Sequence, residues 1–281
     1  MDMYAIYVDT RCSLPDGSFL VLDGLRYILL PITDNTTQAA NIILLVDESG
    51  SMTMQHSWIP EMVEQLDNAL VNAGIGVQPR NRFGVIGFGD DCTLSTEATF
   101  DQAFLTNESI TYVPADRIVE LTQRLQTSGK YEDGYRAIAS AFEQYTFGDL
   151  TNLFILISDE DRDAISNITR DEIESMLVAN EVVLNAVISE EFTGGEARAF
   201  GIDAEGTAYV YDPSSDVLFR NVDNLGVPVK DSAHGSTNMD YTQLALQVNG
   251  GSWDISLLSQ GTILAEGLLD WNSYNSVHMY W

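Results

Sequence analysis

Asp47-Glu48-Ser49-Gly50-Ser51 puts three oxygen-bearing side chains at alternate positions around a glycine. Carboxylate and hydroxyl oxygens are hard donors, suited to Mg²⁺, Mn²⁺ or Ca²⁺. A second acidic run, Asp159-Glu160-Asp161, lies more than a hundred residues on. No Lys or Arg occurs between Arg26 and Arg80 to pair with the first group. The three histidines, His56, His234 and His278, are far apart and read as surface or packing residues, so no Cys/His set for zinc exists. A nucleophilic role for Ser49 or Ser51 needs a base within hydrogen-bond reach, and no histidine falls at a strand end. Phosphoryl chemistry on Asp47 needs a cationic clamp. The only lysines are Lys130 and Lys230, and Lys130 alone lies in a loop expected near the site, so a metal-dependent phosphatase-like hydrolase is a minor alternative. The bland alternatives are serines that merely cap the next helix, and acids at 159–163 that form a solvated helix start beside Arg162 and Arg170.

The elements around these residues place them. Ile42, Ile43, Leu44, Leu45 and Val46 form a continuous branched apolar run, as in a strand buried on both faces of a parallel sheet. The segments "RFGVIGFG" (82–89), "NLFILISDEDRD" (152–163), which stops on acids, and "EVVLNAVISEEF" (181–192) read the same way. Helical spacing of Met62, Leu66, Ala69 and Leu70 predicts a helix ending near Asn72-Ala73-Gly74. Further helices are expected over 113–125, over 132–145, after an N-cap at Thr169, and in "MDYTQLALQVNGGSWDIS" from 239 to a stop at Gly250-Gly251, with a short strand after it. A last helix is expected over 257–271. Strands alternating with helices predict an α/β fold: a doubly wound, mostly parallel sheet with helices on both faces. In such a sheet ligands bind beyond the carboxyl ends of the strands, where both acidic groups fall. Residues 1–40 read as a β-rich N-terminal extension. Residues 192–239 read as an insertion with a hairpin around Ala204-Glu205-Gly206, and Tyr209, Tyr211 and Phe219 in it as core or as a second contact surface. Residues 271–281 read as an apolar tail, paired with the extension or covered by a neighbouring subunit.

Asp47-Glu48-Ser49-Gly50-Ser51 in this strand–loop–helix context resembles the D-x-S-x-S metal-ion-dependent adhesion motif of von Willebrand factor A domains, the family that includes integrin inserted domains. The resemblance extends to "RFGVIGFG" as the family's second strand, to "FILISDEDRD" with Asp159 at the motif's second aspartate, and to "YTQLALQVNGGSWDIS" as its late helix, Gly-Gly turn and last strand. It covers about residues 41–190 and 238–270, and implies one domain over 41–270. It also implies metal ligation by Asp47, Ser49, Ser51 and Asp159. The family's threonine is missing: its loop here is Ser128-Gly129-Lys130-Tyr131-Glu132-Asp133-Gly134, with Tyr131 at that place. A phenol does not replace a small hydroxyl in an octahedral shell, so either Glu132 or Asp133 substitutes, as a ligand or by holding one, or the metal is bound weakly or not at all.

The resemblance implies a non-enzymatic, metal-dependent protein-binding or adhesion module, whose ion takes an acidic side chain from a protein partner. The second reading is a structural subunit of a larger assembly, such as a virion, appendage or matrix. Composition narrows the partners. The chain of 281 residues carries 42 acidic against 13 basic residues, a formal charge of −29. Such a surface repels nucleic acid and anionic membranes and attracts divalent cations. No apolar run approaches the ~20 residues of a membrane span, so membrane insertion is not expected. The opening "MDMYAIYVDT" lacks the basic start of a signal peptide, yet an extracellular or surface-assembly location is favoured. Cys12 and Cys92 allow one disulfide without implying it.

Overall fold

The computed structural model describes residues 3–7, 27–31, 39–72, 75–89, 102–103, 105–106, 109–110, 112–148, 150–194, 197–204, 207–212, 217–231, 237 and 239–259. Cys12, Cys92, His234, His278 and the tail 271–281 lie outside them. In the extension, β1 (Met3–Tyr7) pairs antiparallel with β2 (Tyr27–Pro31).

The apolar runs form the centre of the sheet. β3 (Ala40–Asp47), β4 (Arg82–Phe88), β8 (Thr151–Ser158), β9 (Val182–Ile188) and β14 (Gly251–Asp254) are parallel, in the order β4-β3-β8-β9-β14. Short strands β5 (Gln102–Ala103), β6 (Leu105–Thr106) and β7 (Ser109–Ile110) follow β4, and β5 pairs antiparallel with it at the sheet edge. Alternate residues of each strand feed opposite cores, because successive side chains leave opposite faces. Ile42, Leu44 and Val46 pack with Met62, Val63, Leu66 and Leu70 of α1 (Ile59–Asn72) and with Leu121 of α2 (Val119–Thr122). Ile43 and Leu45 pack on the other face. There they meet Ile138 and Ala141 of α3 (Gly134–Gln144), Ile173 and Leu177 of α4 (Arg170–Ala179), and Leu244 of α5 (Asp240–Gln247). Burying each such side chain contributes roughly 1.5–3 kcal/mol. The expected doubly wound α/β fold with helices on both faces is what forms.

Two local expectations are corrected. The helix expected over 113–125 is mostly absent. Val113 exchanges backbone hydrogen bonds with Phe83, Pro114 is extended, and only a 3₁₀ turn (Ala115–Arg117) and the single turn of α2 follow. The insertion is more than a hairpin. β10 (Glu190–Gly194), β11 (Ala197–Asp203), β12 (Thr207–Asp212) and β13 (Val217–Asp231) are all antiparallel, and β10 pairs with both β13 and β11. The four strands therefore close on themselves, around Phe192, Ala199, Ile202 and Ala208. β11 also pairs with β14, which joins the unit to the main sheet. Tyr209 is core: fully buried, its ring tilted against Trp253 with centroids 5.1 Å apart, and its hydroxyl donating to Asp203 (2.8 Å). The side chains of Tyr211 and Phe219 lie outside the described residues. Helix α6 (Ile255–Ser259) begins two residues before the expected last helix, and residues 260–271 of the expected span lie outside the described residues.

Register brings the strand ends level: Val46 lies opposite Gly87 on one side and Ile157 on the other. From β3 the chain turns to β4 on one side and later returns to β8 on the other. The crevice between β3 and β8 is thus the switch point of the sheet, where ligands of such folds sit.

Candidate metal centre

Asp47 closes β3 at this switch point and is fully buried. Its Oδ1 accepts the Ser49 backbone N–H (2.6 Å) and its Oδ2 accepts the Ser158 hydroxyl (2.8 Å). Ser49 Oγ lies 2.8 Å from Ser51 Oγ, and Ser51 Oγ donates to Asp159 Oδ1 (3.0 Å). A continuous chain of oxygens thus runs from the end of β3 to the residue after β8. These are the four residues expected to meet, and the structure brings them together.

The loop after α2 reaches the same place. Gly129 N–H donates to Glu48 O, and Gly129 forms a β-bridge with Ser49. Glycine is required there, since a Cβ would stand 2.9 Å from the Gly89 backbone. Of the two substitutes expected for threonine, Glu132 and Asp133, the structure commits one elsewhere. Asp133 is buried in an ion pair with Arg162 (2.7 Å) and also accepts the Ser166 N–H (2.8 Å). Glu132 is buried, and the charges of Asp47 and Glu160 act on it. Tyr131 is 41% exposed. Lys130 is exposed as well.

Electrostatics mark the pair. Burial, the dominant cause, raises the Asp47 carboxyl to about 7, against the lowering effect of its hydrogen bonds. Burial and then the charge of Asp47 raise Glu132 to about 8. Among the described residues no Lys or Arg pairs with Asp47. A buried carboxylate held near neutrality without a basic partner is the pattern a divalent cation resolves. The donors fit such an ion: two carboxylates and two hydroxyls, all hard oxygens, with Glu132 adjacent. Among the described residues, however, no three His, Cys, Asp or Glu side chains converge at metal-holding distance. An ion held here would need the hydroxyls as well as the carboxylates.

Three residues escaped sequence reasoning. Ser158 holds Asp47 but precedes the acidic run, and read as the last strand residue. His56 does fall beside the strand end: its Nε2 lies 2.7 Å from the Asp47 carbonyl oxygen. A carbonyl only accepts, so Nε2 carries the proton, and burial lowers the ring's pKa. The third, Asp161, is fully buried and not a solvated helix start; it accepts Thr237 Oγ1 (2.7 Å) and the Asp240 N–H (3.3 Å) at the start of α5. No sequence signal separates Asp161 from Asp159. A serine closing an apolar strand just before the acid is the signal that could have singled out Ser158.

No family model matches the sequence, and no curated protein matches it. Among solved structures the chain is similar to proximal thread matrix protein 1 (PTMP1) from the mussel byssus. One structure of it aligns over 84% of this chain and 46% of that one, at 11% identity and a TM-score of 0.44. A second crystal form aligns over 54% and 38%, at 18% identity and 0.39. A third, described as having a zinc-occupied MIDAS motif, aligns over 54% and 36%, at 14% identity and 0.39. The chain spans less than half the length of each of these structures. No helix among the described residues is long and apolar enough to cross a membrane.

Proposed function

We propose that this chain is a non-enzymatic, divalent-metal-dependent protein-binding module of the von Willebrand factor A type. The observation that carries the reading is the oxygen chain Asp47–Ser49–Ser51–Asp159 at the switch point, anchored on a buried carboxyl held near neutrality. Asp47, Ser49, Ser51 and Asp159 hold Mg²⁺, Mn²⁺ or Ca²⁺, with Glu132 as the adjacent acid; Asp133 takes no part. The bound ion supplies a Lewis-acidic position that accepts one more carboxylate, from a protein partner. Ser49 and Ser51 hold Asp159 in place, and Ser158 and His56 fix Asp47 by its side chain and its carbonyl. Against hydrolysis, both site serines are engaged with Asp159 or each other, and His56 faces a carbonyl rather than a hydroxyl. The strongly acidic chain fits a cation-rich extracellular or surface-assembly setting.

Calorimetric titration of Mg²⁺, Mn²⁺, Ca²⁺ and Zn²⁺ into the chain tests this. Saturable binding by a hard ion, lost in Asp47→Ala, is expected. Identical titrations of the two proteins would end the reading.

A further inference from the structure

Seven described positions leave a large apolar side chain exposed, and four of them are valines: Val71, Val77, Val119 and Val178. The three larger ones, Met54, Tyr131 and Ile165, all stand on loops of the candidate metal centre. Scattered apolar residues need no explanation, but grouping about one site does. Contacts between them close the three loops into a ring. Ser49 bridges Gly129, two residues before Tyr131. Ser51, which opens the 3₁₀ turn ending at Met54, reaches Asp159. Asp163 N–H donates to Glu132 O (2.9 Å), and Ile165 N–H donates to Asp163 O (2.7 Å), which ties the turn that carries Ile165 to the residue after Tyr131. Met54 is 78% exposed and Ile165 39%. Met52 alone is the buried residue of its turn, so Met54 has no packing role.

We propose that Met54, Tyr131 and Ile165 form an apolar rim that sets the specificity of the metal-dependent contact. The partner is then a protein segment that presents an Asp or Glu side chain flanked by apolar or aromatic residues. This rests on the metal-binding reading above and goes beyond it. An ion–carboxylate bond is the same for every acidic segment, so it selects nothing about the sequence around the acid. Charged flanks answer to the acidic surface, net −29, and to Lys130, exposed beside Tyr131. A preference for apolar flanks answers instead to the exposed Met54, Tyr131 and Ile165. Methionine adapts its shape, and tyrosine offers an apolar body with a polar tip, properties suited to the core of an interface.

The probe is a displayed library of short random peptides around one fixed aspartate, panned on the intact chain in MgCl₂ and in EDTA. Enrichment that requires Mg²⁺ and favours apolar or aromatic residues beside the aspartate is expected. The triple variant Met54→Ser/Tyr131→Ser/Ile165→Ser should still select the aspartate in Mg²⁺ but lose the flanking preference. It should bind the best wild-type peptide about 10- to 100-fold more weakly. Its Mg²⁺ titration should match wild type, which shows that it is folded and that the metal site is intact. Val71→Ser/Val178→Ser, away from the site, should change neither readout. A library with no flanking preference, or a preference the triple variant keeps, overturns the rim and leaves the metal site standing. Enrichment on apolarity alone that survives EDTA also overturns it. Failure of wild type to bind Mg²⁺ brings down the metal reading and the rim together.

Discussion

Replacing Asp47 by asparagine should stabilise the metal-free protein at pH 8, although it removes a residue of the site. The carboxyl titrates at 3.8 in its ordinary state and at about 7 in the fold, chiefly because it is buried. A folded value above the unfolded one means that the neutral acid is favoured by folding. The full contribution is present below about pH 4 and is lost as pH rises toward 7. Across the whole shift, roughly 4 kcal/mol of stability disappears, at 1.36 kcal/mol per unit. Between pH 5 and pH 8 the loss is about 2.5 kcal/mol. That is large against the ~5–15 kcal/mol that holds a typical domain.

Asparagine has the same shape and does not titrate. Its Oδ1 keeps the Ser49 N–H. Its amide N–H would donate to Ser158 Oγ, and the Ser158 hydroxyl has a second acceptor in the Glu160 carbonyl (2.8 Å), so nothing need be left unpaired. Urea unfolding in EDTA at several pH values, wild type beside Asp47→Asn, cancels the titrating groups that do not feel Asp47; Glu132, which does, shifts the difference in the same direction. The stability difference should move in favour of the variant by about 2.5 kcal/mol between pH 5 and pH 8 and level off above. Saturating Mg²⁺ at pH 8 should then close or reverse the gap, since the ion stabilises only the fold that binds it. A difference that does not vary with pH would refute the claim that Asp47 is a buried acid without a cationic partner.

The metal should bind more tightly as pH rises toward 8, because Asp47 and Glu132, at about 7 and about 8, must first lose their protons; calorimetry at pH 6 and pH 8.5 reads this, and equal affinities would contradict it. Arg162→Met should cost roughly 3–5 kcal/mol in urea unfolding, because it leaves Asp133 buried and unneutralised. Thr169→Ala removes one half of a capping box with Glu172 and should cost about 1 kcal/mol, with metal affinity untouched. Tyr131→Thr should leave Mg²⁺ affinity unchanged, since the phenol is at the surface; a clear tightening would mean that the loop shifts to place residue 131 in the shell.

What could be read from the sequence is what repeats locally. Five oxygen and glycine positions after a branched apolar run announce a strand end with hard ligands, and Thr169 with Glu172 announces a helix start. What could not be read depends on register between distant strands. Asp47 meets Ser158 across 111 positions because β3 and β8 run parallel with their ends level, and no spacing along the chain encodes that. The run Asp159 to Asp163 shows the same limit more sharply. Three of its acids look alike in sequence and have three fates: Asp159 turns to Ser51, Asp161 to the start of α5, and Asp163 lends its backbone N–H to Glu132. Arg162, between them, pairs with Asp133 and approaches Asp240 (3.7 Å). The loop that carries Asp159 is thereby tied to α3 and α5 by buried charge. An aspartate held on such a loop keeps its place before the ion arrives, so less ordering is left for metal binding to impose. Loosening that loop through Arg162 should therefore weaken Mg²⁺ as well as the fold, whereas Thr169→Ala, which destabilises α4 alone, should weaken only the fold.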